Sequence, residues 1–184
     1  MRIISGKLRG RKLQTFKGSD VRPTADRVRE SLFNILAQKP LNASVLDLYS
    51  GTGALGIEAL SRGARMAVFV DNSIHALTVL RKNLDRCALL QGAQVIKWDI
   101  VKSLACLQIY PQTFDLVFMD PPYNRRLVPL TVQHLLQSRS LAPSALLVAE
   151  HEAQLSPEID SSWLTCFDSR HYGRTGLSFF SYNP

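Results

Sequence analysis

Residues 114–123 read Phe114-Asp115-Leu116-Val117-Phe118-Met119-Asp120-Pro121-Pro122-Tyr123. Residues 116–119 form a short unbroken apolar run, the pattern of a strand covered on both faces in a parallel sheet. The run stops at two prolines, which lack the N–H that a ladder needs, so the chain must leave the sheet there. A carboxylate, a rigid turn and an aromatic ring therefore meet at the carboxyl end of a strand, the edge where open α/β sheets bind ligands.

Strands and helices alternate on both sides of this stretch. Val45-Leu46-Asp47-Leu48 reads as a buried strand, Tyr49-Ser50-Gly51-Thr52-Gly53 as a small-residue turn, and residues 54–62 as a helix stopped by Gly63. A second strand at 66–70 ends on Asp71, a helix is expected over 73–87, and a third strand at 94–98 ends on Asp99. Beyond Asp120 come an apolar helix around 130–137 and a strand at 145–150. Segments 164–169 and 177–182 then pair through Tyr172-Gly173-Arg174-Thr175-Gly176 as an antiparallel hairpin. The class is α/β, doubly wound and Rossmann-like, in one domain over 1–184 with its core in 44–184.

Hydrophobic residues make up 46% and charged residues 20% of the chain, which excludes a disordered polyelectrolyte. No apolar run is long enough to span a bilayer. The opening Met1-Arg-Ile-Ile-Ser-Gly-Lys lacks the apolar region of a secretory signal, so a cytoplasmic location is expected. Cys87, Cys106 and Cys166 are odd in number and far apart, which predicts small buried hydrophobes in a reducing compartment. His75, His134, His151 and His171 are equally scattered, and no metal is expected.

Charge is concentrated at one end. Residues 1–39 hold ten Lys/Arg against Asp20, Asp26 and Glu30, whereas residues 40–184 hold twelve of each sign. The net charge of +7 thus belongs to the first fifth of the chain, as expected of a body that meets a polyanion with one end. Residues 1–18 carry Arg2, Lys7, Arg9, Arg11, Lys12 and Lys17 around Gly6 and Gly10, predicting a basic β-hairpin arm. The alternative is a solvated, frayed terminus. Its cations, with Arg22, are candidate phosphate contacts. A helix follows Val21-Arg22-Pro23-Thr24, with Thr24 as N-cap, Asp26 in the first turn and Val28, Leu32, Ile35 and Leu36 on one face. Arg22, Arg27 and Arg29 either line a site or are solvated.

Gly51-Thr52-Gly53-Ala54-Leu55-Gly56 has the G-x-G-x-x-G spacing, and Asp71 stands twenty residues beyond Gly51 at the next strand end. Such glycines admit a nucleoside close to the backbone, and such an acid can take ribose hydroxyls. Four strands end in carboxylates, Asp47, Asp71, Asp99 and Asp120. A ring of that sign repels a pyrophosphate and attracts a sulfonium, which favours S-adenosylmethionine over a dinucleotide. Asp71, with Asn72, would hold the ribose, and Asp99 the adenine amine with Ile100 beside the ring. Asp47, Ser50, Gly51, Thr52 and Gly53 would hold the methionine end. At the other corner, the Asp120 carboxylate and the Pro121 carbonyl can accept both N–H groups of an exocyclic base amine and aim its lone pair at the methyl group. Pro122 keeps the turn rigid and Tyr123 offers a stacking face.

With both corners in place, the chain resembles bacterial 16S rRNA guanine-N2 methyltransferases of the RsmD family. The resemblance rests on Arg2-Ile-Ile-Ser-Gly-Lys-Leu-Arg-Gly-Arg-Lys-Leu13, on Arg22-Pro-Thr-Ala-Asp-Arg-Val-Arg-Glu-Ser-Leu-Phe-Asn34, on residues 45–64, and on Asp120-Pro-Pro-Tyr123. It implies a seven-stranded, mostly parallel sheet with an antiparallel last strand. It also implies methyl transfer from S-adenosylmethionine to one guanosine of 16S rRNA, with naked rRNA and a partly assembled small subunit both open as substrate. A monomer is the default expectation, and no membrane partner is expected. Asp71 stands where a longer Glu is common in that family. Two alternatives stay open on the residues: methylation of DNA adenine or protein glutamine, and a non-catalytic RNA-binding assembly factor.

Overall fold

The computed structural model describes residues 1–15, 23–110, 113–122 and 127–184, without the side chains of Pro23, Thr24 and Ala25. Lys17, Arg22 and Tyr123 lie outside them. Helix α1 spans Pro23–Leu36. Then come β1 (Ser44–Leu48), α2 (Ala54–Ser61), β2 (Met66–Asp71), α3 (Ile74–Arg86), β3 (Ala93–Lys97), β4 (Phe114–Met119), α4 (Leu127–Ser138), β5 (Leu141–Glu152), β6 (Leu164–Tyr172) and β7 (Thr175–Tyr182). The seven strands form one sheet in the order β3-β2-β1-β4-β5-β7-β6. Strands β1 to β5 are parallel where they pair, and β7 runs antiparallel to both β5 and β6.

Side-chain alternation splits the core into two layers. Val45, Phe69, Leu116, Phe118 and Val148 point to one face, where α1, α2 and α3 bury Leu32, Phe33, Ile57, Leu80 and Leu84 on them. Leu46, Leu48, Val68, Val70, Val117 and Leu147 point to the other, beneath Val128, Val132 and Leu135 of α4. The crossovers change face between β3 and β4, so β1 and β4 are neighbours from which the chain departs in opposite directions. That is the switch point of a doubly wound sheet, where a crevice opens.

Several boundaries differ from the sequence reading for definable reasons. Helix α1 already includes Pro23, whose fixed φ suits a first helical turn, so Thr24 lies inside the helix and not at its cap. Its buried stripe is Val28, Leu32 and Leu36 with Arg29 and Phe33 alongside, while Ile35 remains 36% exposed on the opposite flank. Strand β5 begins earlier than residue 145 because Leu141 pairs with Phe114 before a bulge that passes Pro143 and Ser144, the latter at φ 62°. Cys87 and Cys106 are buried as expected, but Cys166 is exposed, because β6 is an edge strand open to solvent along most of its length.

The N-terminal segment turns back on itself, as the hairpin reading requires, but among the described residues it does so with a single bridge, Arg2 to Lys12, and no extended strands. Its other support comes from the body. The buried carboxylate of Glu58 accepts the N–H groups of Ile4 (2.8 Å) and Ser5 (3.0 Å), and Ser61 Oγ accepts that of Leu8 at 3.0 Å. Gly6 adopts φ +80° with its α-carbon so close that a Cβ there would lie 1.9 Å from the Ser61 carbonyl oxygen. Ile3 and Leu13 are buried, leaving Arg2, Lys7, Arg9, Arg11 and Lys12 exposed on the outer side.

Candidate active site

The site grows out of strand register. Leu48 pairs with Met119 and with Val70, and Met119 pairs with Ala149. The next residues, Tyr49, Asp71, Asp120 and Glu150, therefore stand side by side along one edge of the sheet, Tyr49 and Asp120 just past β1 and β4, Asp71 closing β2 and Glu150 near the end of β5. Two joined cavities open above them. One, of about 670 Å³, is lined by Asp47, Ser50, Gly51, Thr52, Asp120, Glu150, Arg29 and the Tyr172–Thr175 turn among others. The second, of about 420 Å³, is lined by Asp71, Asn72, Val101, Pro121, Pro122 and Leu127. Tyr49, Asp120 and Glu150 belong to both, so the two carboxylates mark the junction.

The glycine loop is shaped by its neighbours. Tyr49 takes φ 58°, an uncommon conformation for a non-glycine residue, and its hydroxyl lies 2.8 Å from Thr131 Oγ1 of α4. Asp71 ties the loop to the next helix: its carboxylate accepts the Gly51 N–H at 2.8 Å and the Ser73 N–H at 2.8 Å. Asp47 is buried and accepts the Gly56 N–H at 2.9 Å. Burial drives its carboxyl well above the usual range; the Gly56 bond opposes that, and the charges of Asp120 and Asp71 reinforce it. A Cβ on Gly56 would sit 2.3 Å from Phe69 Cε1 and 3.0 Å from Asp47 Oδ2, so glycine is what lets α2 approach the sheet.

Asp120 is accessible from the cleft, yet the protein around it leaves little water, and burial raises its pKa to about 6. Glu150 is pushed up to about 8, by burial first and then by the charge of Asp120. These values belong to the pair: at neutral pH it holds a proton that two ordinary carboxylates would release. Two buried polar atoms beside the cleft have no partner among the described residues, Ser50 Oγ and Arg29 Nε. Arg29 is otherwise anchored to the Arg2 carbonyl and to Asp26, 3.2 Å away.

Among the sequence candidates, Asp47, Ser50, Gly51, Thr52, Asp71, Asn72, Asp120, Pro121 and Pro122 are thus brought together around the cleft. Gly53 is the N-cap of α2 with left-handed backbone, packed toward Leu80 and off the cavity wall. Asp99 stands outside the wall, its carboxylate accepting the Val101 N–H at 3.2 Å and lying 3.7 Å from Lys102 Nζ. Ile100 is only 2% exposed and packs into the core under α4, whereas Val101 reaches the cavity. Of the three arginines left open, Arg29 is buried at the cleft and Arg27 is exposed beside the arm. Glu150 and the Tyr172–Thr175 turn, the latter read only as a hairpin turn, are not among the sequence candidates for the site. The signal for Glu150 was present, since the strand ending at 150 closes in an acid as its neighbours do.

Among the described residues no group of three or more His, Cys, Asp or Glu is placed to hold a metal ion. No described helix is long and apolar enough to cross a membrane. A switch-point cleft with a glycine loop, strand-end acids and an Asp-Pro-Pro turn, on a sheet whose last strand is antiparallel, defines a Rossmann-like class I methyltransferase, the S-adenosylmethionine-dependent class.

Residues 1–181 match the family described as Conserved hypothetical protein 95. Ribosomal RNA small subunit methyltransferase D of Escherichia coli K12 is 39% identical over 165 residues, covering 89% of this chain and 81% of that protein. Its namesake from Haemophilus influenzae is 39% identical over 154 residues, covering 83% and 79%. The solved structure of the Escherichia coli protein yhhF superposes with a TM-score of 0.85 at 33% identity, covering 100% of this chain and 98% of that one. The chain belongs to the family of ribosomal RNA small subunit methyltransferase D.

Proposed function

We propose that the protein transfers a methyl group from S-adenosylmethionine to the exocyclic N2 amine of a guanosine in 16S rRNA, acting in the cytoplasm. The observation that carries this reading is the Asp120-Pro121-Pro122 turn, fixed at the switch point where the two cavities join. The residues present fit the cofactor. Asp71 and Asn72 offer acceptors and a donor to a ribose. The acidic floor suits a sulfonium, and the unpartnered Ser50 Oγ and Arg29 Nε suit the polar end of an amino acid. The cofactor supplies a methyl group on a positively charged sulfur.

The rest of the chemistry belongs to the chain. An exocyclic amine is a weak nucleophile because its lone pair is spread into the ring. The Asp120 carboxylate and the Pro121 carbonyl, as acceptors for its two N–H groups, draw it toward a tetrahedral shape and fix its approach. No strong base is needed, since the proton is lost only once the nitrogen bears positive charge. The target base must be splayed out of the RNA to enter, and Tyr123 remains the proposed stacking partner. Outside the cleft, Arg2, Lys7, Arg9, Arg11 and Lys12 would meet backbone phosphates. Arg2, Arg9 and Arg27 line a further cavity of about 460 Å³ between the arm and α1.

Transfer of labelled methyl to three acceptors tests this reading: protein-free small-subunit rRNA, small subunits from cells lacking the enzyme, and duplex DNA. The expected product is N2-methylguanosine from an rRNA acceptor. Label in DNA adenine, or none in RNA while cofactor still binds, overturns it.

A further inference from the structure

Resting on the reading above, we propose that Glu150 is the residue that selects guanine, its carboxyl oxygen accepting the ring N1–H next to the amine held by Asp120 and Pro121. The register puts it there: Met119 pairs with Ala149 in parallel, so Asp120, the first residue past β4, stands beside Glu150 within β5, a strand spacing of about 4.8 Å away. Both line both cavities, and among the described residues no hydrogen bond reaches either carboxylate. An acceptor already next to Asp120 and unclaimed by the described residues is available to whatever occupies the junction.

The chemistry of the candidate acceptors decides what it recognises. In guanine the exocyclic amine is flanked by a ring N–H donor. In adenine and cytosine the amine adjoins a ring nitrogen that only accepts, and in a glutamine side chain it adjoins a carbonyl oxygen. A carboxyl acceptor beside Asp120 therefore satisfies guanine and faces an acceptor in the others. Around the same cavity stand Asp47, Asp120, Tyr49, Arg29, Tyr172 and Arg174, with Asp71 in the adjoining one. Arg29 is engaged by Asp26 and the Arg2 carbonyl. With its proton retained, Glu150 can donate its O–H to Asp120 while its carbonyl oxygen still accepts, so the pair presents one charge and several acceptors.

The test uses the nucleotide that the wild-type enzyme modifies, in rRNA carrying either guanosine or 2-aminopurine there; 2-aminopurine keeps the amine and lacks the N1–H. Wild-type kcat/KM is expected to fall roughly ten- to hundred-fold on 2-aminopurine. Glu150→Ala should lose a similar factor on guanosine and nothing further on 2-aminopurine, with cofactor affinity by equilibrium titration unchanged. Glu150→Gln, whose carbonyl can accept the same N–H, should recover most of the loss. Undiminished discrimination by Glu150→Ala, or a parallel loss of cofactor affinity, overturns the assignment. Wild-type enzyme that methylates no rRNA removes the parent reading instead, and is recognised by the absence of product before any variant is compared.

Discussion

At the scale of single residues, the cleft is lined by carboxyl groups that burial holds above their ordinary pKa. Replacing Asp120 by Ala leaves the cavity and the glycine loop in place but removes an acceptor from the reacting amine. The expected loss in kcat is about 10²–10³-fold, with cofactor binding by calorimetry retained. Glu150 makes a separate prediction about stability. Its folded-state pKa of about 8 lies above the roughly 4.3 of an unfolded glutamate, so the folded protein binds this proton more tightly. The stabilisation is complete below the unfolded value and is lost as pH rises from about 4.3 to about 8. Asp120, raised to about 6, adds to the lower part of that window. His151 acts in the opposite sense, because burial lowers its pKa. The contribution of Glu150 is therefore read as a difference: the melting temperature of wild type relative to Glu150→Gln should decline between pH 5 and pH 8. A constant difference would show that Glu150 titrates normally.

At the scale of elements, strands were the easier part to read. Buried parallel strands announce themselves as apolar runs, and the acids that end them sit where register places them, so Asp47, Asp71 and Asp120 could be assigned to one rim from the sequence. What sequence spacing does not carry is which of two adjacent residues turns inward after a strand ends. Ile100 packs under α4 and Val101 faces the cavity, a choice made by the bend that follows β3. The wall formed by the Tyr172–Thr175 turn was likewise hidden, because it arrives from the far end of the chain through β7 inserted antiparallel beside β5. The arm was read by charge, whereas its docking depends on Glu58 and Ser61, two polar residues of α2 buried at 0% and 1% exposure. Glu58 also pairs with Arg62 at 2.9 Å. Glu58→Ala would strand the Ile4 and Ser5 N–H groups and the Arg62 charge, at a cost of about 2–4 kcal/mol. Denaturant unfolding should show that loss, and amide exchange at residues 3–5 should accelerate well beyond any change in the sheet.

On the scale of the whole molecule, function divides between two regions with different rules. In the proposed reaction the cleft reads a base through a few short contacts, and the arm supplies affinity through charge. Helix α2 runs from the glycine loop at Ala54 down to Ser61, and the arm lies along it. Met1 lines the cleft and Gln14 bonds Asn83, while Lys7 donates its backbone N–H to the Ser61 carbonyl at the far end. The exposed cations therefore extend away from the site, where the proposed function would put RNA flanking the target nucleotide. Asn83 Nδ2 bonds both the Gln14 and the Thr52 carbonyls, which fixes the arm relative to the glycine loop. Contacts of this kind release counterions, so RNA affinity should fall linearly with salt on logarithmic axes. Removing Lys7, Arg9 and Lys12 together spares Arg11, whose guanidinium bonds the Arg86 carbonyl at 2.7 Å. The triple variant should reduce the salt slope by roughly 2–3 and weaken binding about equally for unrelated RNA sequences, since phosphates carry no sequence. Turnover at saturating RNA should stay near that of wild type, because the cleft is untouched. A salt slope unchanged in the triple variant would remove the arm as the RNA contact and leave Arg174, on the cleft wall, and Arg27, in the cavity between the arm and α1, as the cations to examine next.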